Sequence, residues 1–296
     1  MTKPRSTEQR LVEHVDRIAD EHPPIDLGTV DFSVRDPAMT NALFGHVLDY
    51  MARVELEVDR NVLELTTMLP DPPQVDRYFY ADVWAPQEIR HGQILDELQV
   101  RLGRDPAVAD LTTVSAKMHV LGALSHVSPV EDVVRMLYYL TGQATERSAV
   151  IAYNLLHQGL TEIGETAAAE TIVTQIKRQE PAHHAFYAMS ARGLNEQLAP
   201  WQRWLVRRLR TLSFAPVGAN NPQQIADFGD LMLALGIDHD LDRFATAVAR
   251  VEAELLSAAG RGLAVPTYVF KAFRDALEAA QARRAADGRA SSPASA

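Results

Sequence analysis

The chain has 296 residues, no cysteine and a formal net charge of −10. Without cysteine there are no disulfides, thiolate nucleophiles, iron–sulfur clusters or cysteine zinc sites, a composition that matches a reducing cytosol. The acidic balance argues against a general affinity for nucleic acid. The opening MTKPRSTEQR carries no apolar signal core, and no run approaches about 18 uninterrupted apolar residues, so a cytoplasmic protein without a membrane span is expected.

Ala and Leu are plentiful and β-branched alternation is scarce, which predicts an all-α chain. Ser6 with Gln9 forms a capping-box signal for a short first helix, which Pro23-Pro24 must end. Asp36-Pro37 supplies a cap and a first-turn proline, and Phe44, Leu48, Met51, Val58, Val62, Leu65 and Leu69 keep a helical period as far as Pro70. A second long helix is predicted from Val75 to Leu102, with Gly103 in the left-handed position beyond it. A third starts at Ser128-Pro129-Val130-Glu131 and reaches His157, and a fourth runs from Thr161 to Arg192, ending at Gly193. These four are each about 27 to 34 residues, far above the globular mean of about 11 to 12, and helices that long pack side by side as a bundle. Shorter helices follow over 200–212, 222–235, 241–259 and 266–285. The expectation is one ferritin-like domain over residues 1–285, with its bundle at 37–193 and additional shorter helices at both ends. Residues 286–296 are small and polar and read as a disordered tail.

Of ten histidines, two have a glutamate three residues upstream, Glu88 with His91 and Glu180 with His183. Positions i and i+3 lie on one helix face about one turn apart, so both side chains can bind one metal. Each pair follows a long helix with a lone candidate, Glu57 before the first and Glu146 before the second. Glu55 competes with Glu57, because it falls on the stripe of Met51, Val58 and Val62, and Glu64 lies two turns beyond. Two lone glutamates and two Glu-x-x-His pairs are the ligand set of di-iron and di-manganese carboxylate bundles. Two divalent cations would cancel four carboxylates, and oxygen and imidazole donors suit iron or manganese.

These residues resemble the soluble acyl-acyl-carrier-protein desaturases. Trp84-Ala85-Pro86-Gln87-Glu88-Ile89-Arg90-His91-Gly92 is similar to that family's W-T-A-E-E-N-R-H-G. Thr145-Glu146-Arg147-Ser148-Ala149 is similar to its Q-E-R-A-T, and Gln179-Glu180-Pro181-Ala182-His183 stands where the family has D-E-x-x-H, with Phe186-Tyr187 following. The likeness covers roughly residues 40 to 195. It implies two iron ions bridged by Glu88 and Glu180, chelated by Glu57 and Glu146, with His91 and His183 as terminal ligands. It also implies a homodimer, a ferredoxin-type electron donor and an acyl chain, borne by an acyl carrier protein, in an apolar channel beside the irons. Departures are Gln87 and Gln179 in place of acids, Ala149 in place of a threonine, and Pro86 and Pro181 inside the ligand helices, where proline should kink them.

The leading expectation is therefore an oxygen-dependent di-iron desaturase acting on a carrier-bound fatty acyl chain. A di-iron hydroxylase or N-oxygenase is the alternative, and a metal-storage or metal-free bundle the third reading. Arg203, Arg207, Arg208 and Arg210, beside Trp201 and Trp204, form a basic stretch that could receive an acidic carrier or be a solvated helix face. Tyr153, two turns after Glu146, can point toward the metals or simply pack. His119, His126, His157 and His184 are read as structural.

Overall fold

A computed structural model describes residues 7–69, 71–114, 116–256 and 264–290; Ser6, Pro70, residues 257–259 and residues 291–296, on which parts of the sequence reading rest, lie outside the described residues. The chain is all-α, with no strand among the described residues. In order the helices are α1 (Thr7–Glu21), α2 (Pro37–Leu56), α3 (Val58–Met68), α4 (Gln74–Arg77), α5 (Ala85–Arg101), α6 (Ala116–Ser125), α7 (Ser128–Glu162), α8 (Thr174–Gln197), α9 (Pro200–Ser213), α10 (Pro222–Ala234), α11 (Leu241–Leu256) and α12 (Thr267–Ala290).

The first predicted long helix is two. Asp36 caps α2 through the Met39 N–H at 2.9 Å, as its sequence implies, but the backbone turns out of the helix at Glu57 (ψ 8°) before α3 begins. The second predicted helix is continuous from Gln74 to Arg101 through a wide π-helical turn, Tyr78–Trp84. That turn relieves Pro86. Widening just ahead of a proline leaves the ring and the missing N–H at a place where the hydrogen-bond register has already slipped. Gly103 (φ 82°) ends α5 as predicted. The third helix runs past His157 to Glu162 and stops at Gly164 (φ 78°), so the fourth starts after Thr161, again with a π turn, Ala168–Val173. It also runs through Gly193, because that glycine serves packing: a Cβ there would lie 2.4 Å from the Thr7 side chain. Pro181 is carried inside α8 without ending it. Helix α6 was not expected, and α12 extends to Ala290, so residues 286–290 of the expected tail are helical.

α2 packs along α5 and α7 along α8, pairings compatible with a four-helix bundle. Two apolar cores form, one containing Leu48, Leu98, Leu156 and Ile172, the other Val58, Phe79, Leu140 and Phe186. The strands of chain that hold them are shared. α5 with its π turn, α7 and α8 with its π turn each pass from one core to the other, and α2 reaches the second core through α3. Buried carboxylates and histidines fall at the crossing.

The basic stretch on α9 is divided. Arg210 is 1% exposed and donates to Glu252 at 3.0 Å, to Thr141 Oγ1 at 3.0 Å and to the Leu140 carbonyl at 3.3 Å. Arg203 and Arg207 donate to the carbonyls of Asn195 and Leu256, while Arg208 is exposed over the Trp204 ring.

Glu165, 1% exposed, accepts from the Arg35 and Asp36 N–H groups at 2.9 and 2.8 Å and from the Thr40 hydroxyl at 3.1 Å. It ties the α7–α8 turn to the start of α2. Replacing Glu165 with Ala strands buried donors and should cost about 1–3 kcal/mol, read as a lower denaturant midpoint; an unchanged midpoint would show that solvent replaces the carboxylate.

Candidate metal centre

Two clusters of potential ligands share two members. Glu55, Glu88, His91 and Glu180 form one, and Glu88, Glu146, Glu180 and His183 the other; within each, ligand atoms lie within 4.8 Å of one another. All six residues are buried, Glu55 the least so at 9% exposure. They come from α2, α5, α7 and α8, one glutamate from each of α2 and α7 and one Glu-x-x-His from each of α5 and α8. Glu88 and Glu180 belong to both clusters and so stand where bridging ligands would.

Five of the six ligands named from sequence are brought together. Glu57 is not. It is buried at 1% exposure outside both clusters, held by Arg53 at 3.0 Å and Arg60 at 2.7 Å. Glu55 takes its place, and its carboxylate accepts from the Tyr153 hydroxyl at 2.6 Å. The sequence carried the signal. Glu57 has arginines at i−4 and i+3, helix-surface neighbours that neutralise it, whereas Glu55 has Met51, Ala52, Val58 and Asp59 at those spacings. Glu64 and the histidines His119, His126, His157 and His184 lie outside both clusters.

The imidazoles are oriented by a crossed pair of glutamines. His91 Nε2 donates to Gln179 Oε1 at 2.6 Å, and His183 Nε2 donates to Gln87 Oε1 at 2.5 Å. Each glutamine therefore serves the histidine on the other ligand helix. Their amide nitrogens are committed elsewhere: Gln179 donates to the Pro23 carbonyl at 2.8 Å, and Gln87 to the His22 carbonyl. An amide whose NH2 must meet a carbonyl presents its oxygen at the other end, so each histidine carries its proton on Nε2 and turns the Nδ1 lone pair to the cluster.

That assignment leaves lone pairs facing lone pairs. His183 Nδ1 is 2.8 Å from Glu88 Oε1, and His91 Nδ1 is 3.2 Å from Glu180 Oε1. Glu88 Oε1, both Glu180 oxygens and both Nδ1 atoms are buried without a hydrogen-bond partner. Such convergence of acceptors is costly unless a cation or a proton lies among them. Without metal, protons take that part. Burial, with the neighbouring Glu88 carboxylate, pushes Glu55 and Glu146 well above the usual carboxylate range. Burial opposes charge on His91, but the Glu180 and Glu88 carboxylates beside it raise it to about 10. Burial likewise disfavours a charged Glu88, yet the neighbouring Glu55, His183 and His91 side chains hold it well below its ordinary value. The six residues thus fit a pair of divalent cations.

The two sides of the cluster differ. On the Glu146 side, Trp84 Nε1 donates to the carboxylate at 3.2 Å, and a channel of about 250 Å³ arrives between α3, α6 and α7. Its α7 wall, from Leu137 to Glu146, is about 13 Å long at 1.5 Å per residue. Leu65, Met68, Met118 and Leu121 line it, with Arg60 and Asn61. On the Glu55 side a cavity of about 40 Å³ is bounded by Met51, Ala149 and Ala152. Ser148 also borders it, but its hydroxyl donates back to the Ala144 carbonyl at 2.8 Å.

In comparisons with known proteins, no family model, curated protein or solved structure matches this chain.

Two outcomes test the site. Glu55→Gln should lower divalent-metal affinity by isothermal titration far more than Glu57→Gln, and the reverse order would restore Glu57 as the ligand. Because Glu55, Glu146 and His91 all have folded values above their unfolded ones, the metal-free fold holds extra protons, and its stability falls as pH rises toward about 10. Glu88 titrates below this window and leaves the sign unchanged. A divalent cation displaces those protons, so its stabilising shift in melting temperature should grow between about pH 6.5 and pH 9; a shift that shrinks over that range contradicts the assignment.

Proposed function

We propose that this chain is an oxygen-dependent di-iron oxidoreductase of the kind its sequence resembles, a desaturase acting on the acyl chain of a carrier-bound substrate. The observation that carries the reading is the pair of buried Glu/His clusters sharing Glu88 and Glu180. Glu55, Glu88, His91, Glu146, Glu180 and His183 would hold two irons, and iron so held supplies the reduction of dioxygen and the oxidising power to remove hydrogen from an unactivated carbon.

The chain's own part is positional. Gln87 and Gln179 keep both imidazoles in the ligating tautomer, and the two apolar cores keep water from the crossing. The channel beside Glu146 offers Leu65, Met68, Leu121 and Leu137 to an apolar chain and would fix one C–H bond near the metals. A ferredoxin-type donor, a homodimer and an acyl carrier protein remain the partners this reading entails. Arg210 is not part of the carrier's docking surface, because it is consumed by Glu252 inside the protein. Arg208, Arg203 and Arg207 are the cations of α9 left for that contact.

Oxygen insertion, as in a hydroxylase or N-oxygenase, is the second reading. It is favoured by Ala149, which puts a methyl group and no hydroxyl on the wall beside Glu55. Anaerobic loading with ferrous iron should give about two irons per chain and raise the melting temperature. Mass spectrometry of an acyl-carrier substrate after reductant-driven turnover then decides: a product lighter by two hydrogens is desaturation, and one heavier by an oxygen atom is insertion. Well under one iron per chain refutes both.

A further inference from the structure

Tyr80, Trp84 and Tyr138 stand in the wall of the channel beside Glu146, and they also belong to a row of aromatic rings that continues past it to Tyr139. Trp84, hydrogen-bonded to Glu146, lies with its ring centroid 4.6 Å from that of Tyr80. Tyr80 is 5.5 Å from Tyr138, and Tyr138 is 5.4 Å from Tyr139. Tyr139 then donates its phenol hydrogen to Asp76 Oδ2 at 2.6 Å. All four rings are less than 8% exposed and Asp76 is fully buried. The row uses three of the chain's eight tyrosines, and Tyr187 flanks it at 5.6 Å from Tyr138.

We propose that Trp84, Tyr80, Tyr138 and Tyr139 form an electron relay, with Tyr139 as its redox-active end and Asp76 as the proton acceptor. This rests on the di-iron reading, since iron held at Glu146 and oxidised by dioxygen would be the electron acceptor. One electron would leave Tyr139 and pass through Tyr138, Tyr80 and Trp84 to that acceptor, lowering its oxidation state by one. The phenol proton moves along the existing hydrogen bond to Asp76. The balance is Tyr–OH plus Asp–COO⁻ giving Tyr–O• plus Asp–COOH plus one electron.

The chemistry of the groups fits the order of the row. Indole and phenol are the side-chain rings that give up an electron most readily, and here they succeed one another at contact distance. A phenol is far harder to oxidise if its proton has nowhere to go. Asp76 supplies that place: its Oδ1 has no hydrogen-bond partner, and Tyr139 is the donor to its Oδ2. Burial, only partly offset by the Tyr139 hydrogen bond and by Arg135, raises Asp76 to about 6, so at neutral pH it is ionised and ready to accept. The terminus lies one residue from the surface: buried Asp76 is followed in α4 by Arg77, which with Gln74 and Arg135 borders an open cleft. Packing alone would be met equally well by phenylalanine at Tyr139 and would give Asp76 no reason to be buried.

Tyr153 is the rival redox tyrosine, since it bonds directly to Glu55, and the experiment separates the two. Protein loaded anaerobically with ferrous iron is assayed for bound iron, mixed with dioxygen and freeze-quenched for electron paramagnetic resonance. An organic radical signal is expected, altered when ring-deuterated tyrosine is incorporated. It should disappear in Tyr139→Phe, weaken in Asp76→Asn, which keeps every ring, and persist in Tyr153→Phe. Thermal melts confirm that each variant is folded. Iron uptake and oxidation without a tyrosine radical, or with one that survives Tyr139→Phe, overturns the relay alone. Failure to bind iron removes the electron acceptor, and the relay falls together with the di-iron reading.

Discussion

Four glutamates share one buried volume with two imidazoles, and their mutual repulsion is the constraint around which the molecule is arranged. Carboxylates cannot be kept together in a low-dielectric interior unless something positive joins them or protons neutralise them. The flanking apolar cores meet that demand from outside, gripping the helices above and below the charged level. With the helices fixed at both ends, a turn bearing Glu and His has little freedom to swing its acids apart. Rigidity of this kind lets a metal-binding arrangement persist in a form that is electrostatically unfavourable by itself.

Much of this was legible in the sequence, and the failures have physical causes. Both Glu-x-x-His pairs and Glu146 were readable because periodicity places i and i+3 on one face whatever the tertiary context. Between Glu55 and Glu57 the spacing of the motifs does not decide; the structure puts Glu55 in a cluster, while Arg53 and Arg60 occupy Glu57, a charge pairing within the helix that motif spacing does not display. The break at Glu57 and the two π turns were invisible to a fixed 100° period, since they are local slips in register that change which face later residues present. Gly193 was read as a terminus, but its missing side chain makes room for α1, a tertiary reason that local sequence does not display. The short α6 went unread because its residues have almost no amphipathic pattern; its place against α3 and α7 comes from packing.

The cluster is also asymmetric in a way its internal repeat conceals. Similar motifs deliver similar ligands, yet Glu146 meets an indole and a long channel, while Glu55 meets a phenol and a small apolar cavity. Two metals in such a site would have unlike surroundings, one beside a cavity of about 250 Å³ and the other beside one of about 40 Å³. Division of labour between chemically similar ions can thus come from neighbouring side chains, with no difference in the ligands themselves.

Both crossed glutamines end on the same short stretch, the carbonyls of His22 and Pro23 just beyond α1. The N-terminal helix therefore works as a latch on the histidines. Until it docks, each glutamine amide is free to rotate, and neither imidazole is committed to presenting Nδ1. A substitution that shifts these two carbonyls would therefore reach both imidazoles at once, from a stretch of chain that supplies no ligand to the clusters.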